Sequence, residues 1–203
     1  MEMRSLPVTG AFLSIPSVHR DLRGEFCEAF SVAAASAPHM QPIPVAQINT
    51  SWSRRGTLRG LHMCTDPGGQ AKIVLCSSGA ILDIIVDARS DSPDVGRYAC
   101  CVLDSASRSA LYVPPGVAHS FLALTDATVV YASTTLYDST RETTIDALDP
   151  ELGLPWPRVD HLIRSQRDSS APTWSQAVTE GWLPVVLDAT QWQHEAHHSG
   201  AAG

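Results

Sequence analysis

The sequence predicts an all-β domain, an antiparallel sandwich or barrel with a few peripheral helices. Three observations predict it. Between Val45 and Tyr137, short apolar runs rich in β-branched residues are broken by turn residues at close intervals, the rhythm of antiparallel strands joined by tight connections. Helical candidates are few and peripheral. No internal repeat or low-complexity linker cuts the 203 residues, a length that suits one domain with a sizeable core.

The runs follow in order. "AKIVLC" is closed by the turn "SSG", then comes "AILDIIVDA", the polar break "RSDSPDVG", "RYACCVL", the break "DSASRS", the run "ALYVPPGVAHSFLAL", the turn "TDA" and finally "TVVYASTTLY". Within "ILDIIVDA" the even spacing of Asp83 and Asp87 puts both on one face of a strand. Helices are expected at "SVAAASA" near 31–37, at "TWSQAVTEG" near 173–181 with Thr173 as N-cap and Gly181 as stop, and at "DATQWQHEA". The tail "HHSGAAG" reads as frayed, and its cluster of His194, His197 and His198 is not read as a native metal site.

Composition excludes several function classes. A net charge of -7 lacks the basic surface that nucleic acid or an anionic membrane needs, although a few local arginines and lysines suffice for a small anionic ligand. No apolar run approaches the roughly 20 residues of a membrane helix, and "MEMRSLPVTGAF" does not read as a signal peptide, so a cytoplasmic protein is expected. Cys27, Cys64, Cys76, Cys100 and Cys101 form no CxxC pair and are odd in number, which fits reduced thiols packed in or near strands.

Two histidines fall inside the β-rich region, His62 in "RGLH" and His119 in "PPGVAH". Taken singly, each reads as a strand-end residue satisfied by hydrogen bonds. Together with Arg59, Gln70, Lys72 and Tyr131 in the same strand series, they would give a barrel cavity a polar lining. "PPGVAH" also fits the P-x-G-x-x-H element of the cupin β-barrels. The first metal-binding element of those proteins needs an H-x-H pair with a nearby glutamate. Here that region reads "LHMCTD", with Cys64 in place of the second histidine, so no metal is expected.

Over about positions 19–185 the chain resembles the dTDP-4-dehydrorhamnose 3,5-epimerase family, metal-free cupins of deoxysugar biosynthesis, and more closely the nucleotide-sugar epimerases of antibiotic clusters. The resemblance rests on "DLRGEFCEAF", "AQINTSWSRRGTLRGLH", "GGQAKIV", "DIIVDARSDSPDVGRY", "VPPGVAHSF", "YASTTLY", "ALDPELGLPWP" and "RSQRDSSAPT" in that order. It implies a cupin jelly-roll barrel and a dTDP-4-keto-6-deoxyhexose substrate whose keto group acidifies the C–H bonds at carbon-3 and carbon-5. A base removes the proton to give an enolate, and a proton returned from the opposite face inverts the centre, with no cofactor. The resemblance makes His62 the base, Asp168 its orienting carboxylate, Tyr131 the proton donor and Lys72 the support of the enolate oxygen. It assigns Arg59 and Arg23 to the pyrophosphate, and Glu28, Gln47, Asn49, His119 and Tyr137 to further substrate contacts, Glu28 partly across a homodimer interface.

The implied organisation is a single domain over 1–203, with N-terminal strands and a dimer arm over about 1–44, a barrel core over 45–140 and a C-terminal segment over 141–203. The Pro-Gly-Gly turn after His62 is expected to bring His62 and Lys72 onto adjacent strands. Met63 and Cys64 after "RGLH", Arg164 and Arg167 in "RSQRD" and Ser120 in "AHSF" depart from the family pattern, leaving open whether carbon-3, carbon-5 or both are inverted. Three other readings stay open: a keto-isomerase of the same superfamily, a metal-dependent cupin oxygenase, and a non-catalytic sugar-binding cupin.

Overall fold

The computed structural model describes residues 1–31, 43–66 and 68–186. The expected helix at "SVAAASA" beyond Ser31, that at "DATQWQHEA" and the tail "HHSGAAG" lie outside the described residues. Four short strands open the chain: β1 (Glu2–Ser5), β2 (Phe12–Ile15), β3 (Val18–Asp21) and β4 (Gly24–Cys27). Eight more cover the middle: β5 (Gln47–Ser53), β6 (Leu58–Cys64), β7 (Lys72–Ser78), β8 (Ala80–Asp87), β9 (Tyr98–Asp104), β10 (Ala110–Val113), β11 (Val117–Ala123) and β12 (Ala127–Ser133). The last strand is β13 (Glu142–Thr144), followed by the helices α1 (Gln166–Ser169) and α2 (Trp174–Thr179).

The strands build a jelly roll of two antiparallel sheets and a hairpin. One sheet has the order β1-β2-β10-β7-β12-β5, the other β13-β6-β11-β8-β9, and β3 pairs with β4 alone. Three sequence expectations need correction. "ALYVPPGVAHSFLAL" is not one strand: Pro114, Pro115 and Gly116 break it, and its halves β10 and β11 belong to different sheets. Proline cannot donate to a ladder, and Gly116 at φ 73° reverses the chain. His62 and Lys72 likewise lie on β6 and β7 in different sheets, not on adjacent strands. Finally, β1, β2 and β13, from outside 45–140, complete the two sheets.

The core lies in layers. Between the sheets, Leu13, Val74, Cys76, Ile81, Ile85, Leu103, Leu111, Phe121 and Val129 pack together. Over the outer face of the five-stranded sheet, Leu58, Leu61, Met63, Ile84, Val86 and Leu122 pack against Ile145, Leu152, Trp174 and Ala177 of the C-terminal segment. Each such side chain contributes about 2 kcal/mol on burial, enough to fasten that segment to the sheet. Helix α2 forms where the sequence predicts. Thr173 accepts from the Gln176 amide while the Gln176 side chain accepts from the Thr173 amide, Trp174 and Ala177 turn inward three residues apart, and Gly181 at φ 68° ends the helix region. Helix α1 carries no sequence signal beyond its Ser165 N-cap. All five cysteines are free, as expected. No helix among the described residues is long and apolar enough to cross a membrane.

Candidate active site

The position of His62 depends on an irregularity in β6. Strict alternation would put Arg59 and His62, three residues apart, on opposite faces. Against β11, however, His62 pairs with His119 and Arg59 pairs with Phe121, so three steps on one strand match two on the other. The extra residue falls at Gly60, whose φ is 102° and whose added Cβ would meet the His119 carbonyl at 2.5 Å. A bulge of this kind rephases the strand. Leu58, Leu61 and Met63 therefore pack on the outer face, while Arg59 and His62 face the barrel interior. Ser120 opposite the bulge donates to the Arg59 carbonyl at 2.7 Å, satisfying a group that an uninterrupted ladder would otherwise pair.

Around His62 lies a cavity of about 350 Å³ lined by Gln47, Asn49, His62, Gln70, Lys72, Tyr131, Ser133, Tyr137, Glu142 and Arg167. Its two sheets contribute different chemistry. The five-stranded sheet supplies His62 and Glu142; the six-stranded sheet supplies Gln47 and Asn49 from β5, Lys72 from β7, and Tyr131 and Ser133 from β12. His62 Nε2 lies 2.7 Å from Asp168 Oδ1, leaving Nδ1 as the nitrogen available to a ligand. Asp168 is 3 % exposed. Burial works against its charge, yet the hydrogen bond and charge of His62, the Ser165 hydroxyl and the Gly60 amide together hold its carboxyl below the usual carboxylate range.

Burial pushes the Tyr131 phenol up, with Glu142 adding to the rise and Arg59 opposing it, so the hydroxyl keeps its proton. Burial pushes the Lys72 ammonium down, against the pull of Glu142, Cys64 and Asp83. The Gln47 side chain donates to Asn49 Oδ1 at 2.6 Å and accepts from the Tyr137 amide at 2.9 Å, tying the segment after β12 to β5. Gln70 donates to the Thr135 hydroxyl at 2.8 Å, fixing the same rim. Such an arrangement can remove a proton from one side of a bound molecule, supply one from the other, and place a cation beside developing negative charge.

Of the residues proposed from sequence, His62, Gln70, Lys72, Tyr131, Gln47, Asn49 and Tyr137 line this cavity, and Asp168 stands behind His62. Arg59 is half-buried beside it, donating to the Ser53 hydroxyl at 3.1 Å and the Trp52 carbonyl at 3.3 Å. His119 does not line it. It is sealed in the barrel with Nε2 2.9 Å from Asp83 Oδ2, because a buried imidazole beside a buried carboxylate takes that partner in preference to solvent. Arg23 and Glu28 also stand away from the cavity of their own chain: both are exposed, on or beside the β3–β4 hairpin, and Arg23 pairs with Asp21 at 2.6 Å.

Sequence reasoning missed Ser133, Glu142 and Arg167 as lining residues. Ser133 was within reach, since it lies two residues after Tyr131 on the same face. Glu142 sits on a three-residue strand too short to carry a pattern. The departures "MC" separate in the structure: Met63 packs outward, and Cys64, opposite Glu142 in the ladder, stays a neutral thiol because burial pushes it up. Among the described residues, no group of three or more His, Cys, Asp or Glu side chains is placed to hold a metal.

Comparison with known proteins identifies the family. The family model described as dTDP-4-dehydrorhamnose 3,5-epimerase matches residues 5–176. The dTDP-4-dehydrorhamnose 3,5-epimerase of Streptomyces griseus is 44% identical over 183 residues, 90% of this chain and 91% of the relative. Among solved structures, the RmlC epimerase of Mycobacterium tuberculosis superposes with a TM-score of 0.90 at 40% identity, covering 95% of this chain and 98% of that one. ChmJ, a 3'-monoepimerase from Streptomyces bikiniensis in complex with dTDP-quinovose, superposes at 0.86 with 38% identity, covering 97% and 98%. On the matched family model and the fold, the chain belongs to the dTDP-4-dehydrorhamnose 3,5-epimerase family.

Proposed function

We propose that this enzyme epimerises a dTDP-4-keto-6-deoxyhexose at carbon-3, carbon-5 or both, in deoxysugar biosynthesis in the cytoplasm. The observation that carries the reading is the division of labour between the sheets: a carboxylate-backed histidine on one, a protonated tyrosine and a lysine on the other. A sugar ring held between them presents one face to each. His62 takes the proton from the carbon next to the ketone, and the electron pair moves onto the carbonyl oxygen as an enolate. The Lys72 ammonium stabilises that oxygen, and Tyr131 delivers a proton from the opposite face. Asp168 stabilises the imidazolium that forms.

Arg59, with Gln47, Asn49 and Tyr137, orients the rest of the nucleotide sugar. The enzyme works as a homodimer, in which Arg23 and Glu28 of each hairpin reach the neighbouring subunit's site. Supporting this, the hairpin carries Leu22, fully exposed, and Phe26, 71 % exposed, two apolar side chains without cover among the described residues. An NMR time course in D2O with dTDP-4-keto-6-deoxyglucose tests the reading. Deuterium should enter at carbon-3, carbon-5 or both, and be lost in His62→Ala. Migration of the carbonyl to carbon-3 would make it a keto-isomerase, and full exchange in His62→Ala would remove the base.

A further inference from the structure

His62 and Asp168 are 106 residues apart in sequence, and Asp168 lies in a four-residue helix that cannot hold itself in place. Its position is set by its backbone. The Asp168 amide donates to the Ser165 hydroxyl at 3.0 Å, and its carbonyl accepts from Arg164 Nη2 at 2.5 Å. The same guanidinium nitrogen donates to Asp146 Oδ1 at 2.6 Å. Asp146 comes two residues after Thr144, the residue of β13 that pairs directly with His62, and its own amide donates to the Pro172 carbonyl at 2.8 Å. These bonds close a circuit from the base through its carboxylate, Arg164 and Asp146 back to the strand beside the base.

The energetics say that this guanidinium is there for geometry. The Arg164 side chain is 11 % exposed, and its Nε is buried with no partner among the described residues. A partly buried, incompletely satisfied ion pair contributes little net stability, because desolvation offsets the attraction; an apolar side chain of similar volume would pack there without that cost. We infer that Arg164 is a positioning residue of the proton-transfer site: by tying the Asp168 carbonyl to Asp146, it holds Asp168 at hydrogen-bond distance from His62. The inference rests on the reading of His62 as the base.

Arg164→Met keeps length and apolar volume and removes both hydrogen bonds; Arg164→Lys keeps the charge and a donor. In the full-length protein, Arg164→Met should lower kcat for the D2O exchange about tenfold with KM unchanged, as expected for a misaligned base. Arg164→Lys should restore much of kcat. The downfield proton resonance of the imidazole N–H shared with Asp168 should be present in wild type and broadened or shifted in Arg164→Met. Asp146→Ala, which removes the accepting oxygen, should reproduce the loss, and the double variant should add little to either single one. A wild-type kcat and an unchanged resonance in Arg164→Met, or additive single effects, would overturn the inference. If Arg164→Met does not fold, Asp146→Ala decides in the same way. If wild type shows no exchange at all, the reading of His62 falls, and the resonance alone still tests Arg164.

Discussion

Two histidine–aspartate pairs lie side by side in this barrel and differ in what they can reach. His62 and His119 face each other across the β6–β11 ladder, each within 3 Å of a carboxylate oxygen: 2.7 Å to Asp168 and 2.9 Å to Asp83. The His62 side chain is 34 % exposed and opens on the cavity; His119 is 11 % exposed, Asp83 is fully buried, and the second Asp83 oxygen has no partner among the described residues. The same chemistry thus serves two ends. On the proposed reading, the pair whose ring nitrogen faces the cavity transfers protons, while the enclosed pair is an internal strut.

The comparison breaks if the two histidines respond alike. His62→Ala should lower deuterium exchange about 10³-fold with little loss of stability. His119→Ala should do the reverse: by leaving the Asp83 carboxylate buried without its partner, it should cost about 3 kcal/mol in urea denaturation and slow exchange far less. Asp168→Asn comes next, with exchange falling about 10²-fold while nucleotide-sugar binding is kept, read as a kcat effect at constant KM. Gly60→Ala tests the feature that separates the pairs. Its Cβ would collide with the His119 carbonyl at a positive φ, so we expect a loss of about 2 kcal/mol in thermal or urea unfolding together with slower exchange.

Two pH profiles sharpen the contrast further. Burial pushes the Lys72 ammonium below its ordinary value and the Tyr131 phenol above its own. The alkaline limb of kcat should therefore lie below pH 10.5, the ordinary lysine value, and move upward in Lys72→Arg. At the acid end, the Asp168 carboxyl is depressed in the folded state. Its contribution to stability is fully present above the unfolded pKa near 4 and is lost as pH falls through the folded value. Asp168→Asn should flatten the decline in stability below pH 4, a small effect measured by urea midpoints across pH.

The all-β class, the strand series and α2 were legible because each rests on local signals: β-branched runs, turn residues, a capping threonine. The allotment of strands to sheets was not. Nothing near Pro114 or after His62 says that the chain crosses from one sheet to the other, since that depends on contacts between distant strands. Seven of the proposed residues line the cavity, but His119 matched a motif without showing which way its ring would be satisfied. Arg23 and Glu28 stand on a hairpin whose surroundings no single chain defines. Glu142 and Arg167 were invisible because their places come from the C-terminal segment folding back over the sheet, a tertiary event without periodicity.

The one-residue slip at Gly60 also bears on anyone wishing to transplant this chemistry to another two-sheet scaffold. Copying the cavity side chains onto regular strands would aim the imidazole at the wrong layer, since a guanidinium and an imidazole three positions apart then point away from each other. The portable unit is a strand with one residue too many, a glycine to absorb it and a serine opposite to cap the stranded carbonyl. Insertions and deletions within β6 should accordingly be tolerated far less than point changes, however small the residue gained or lost.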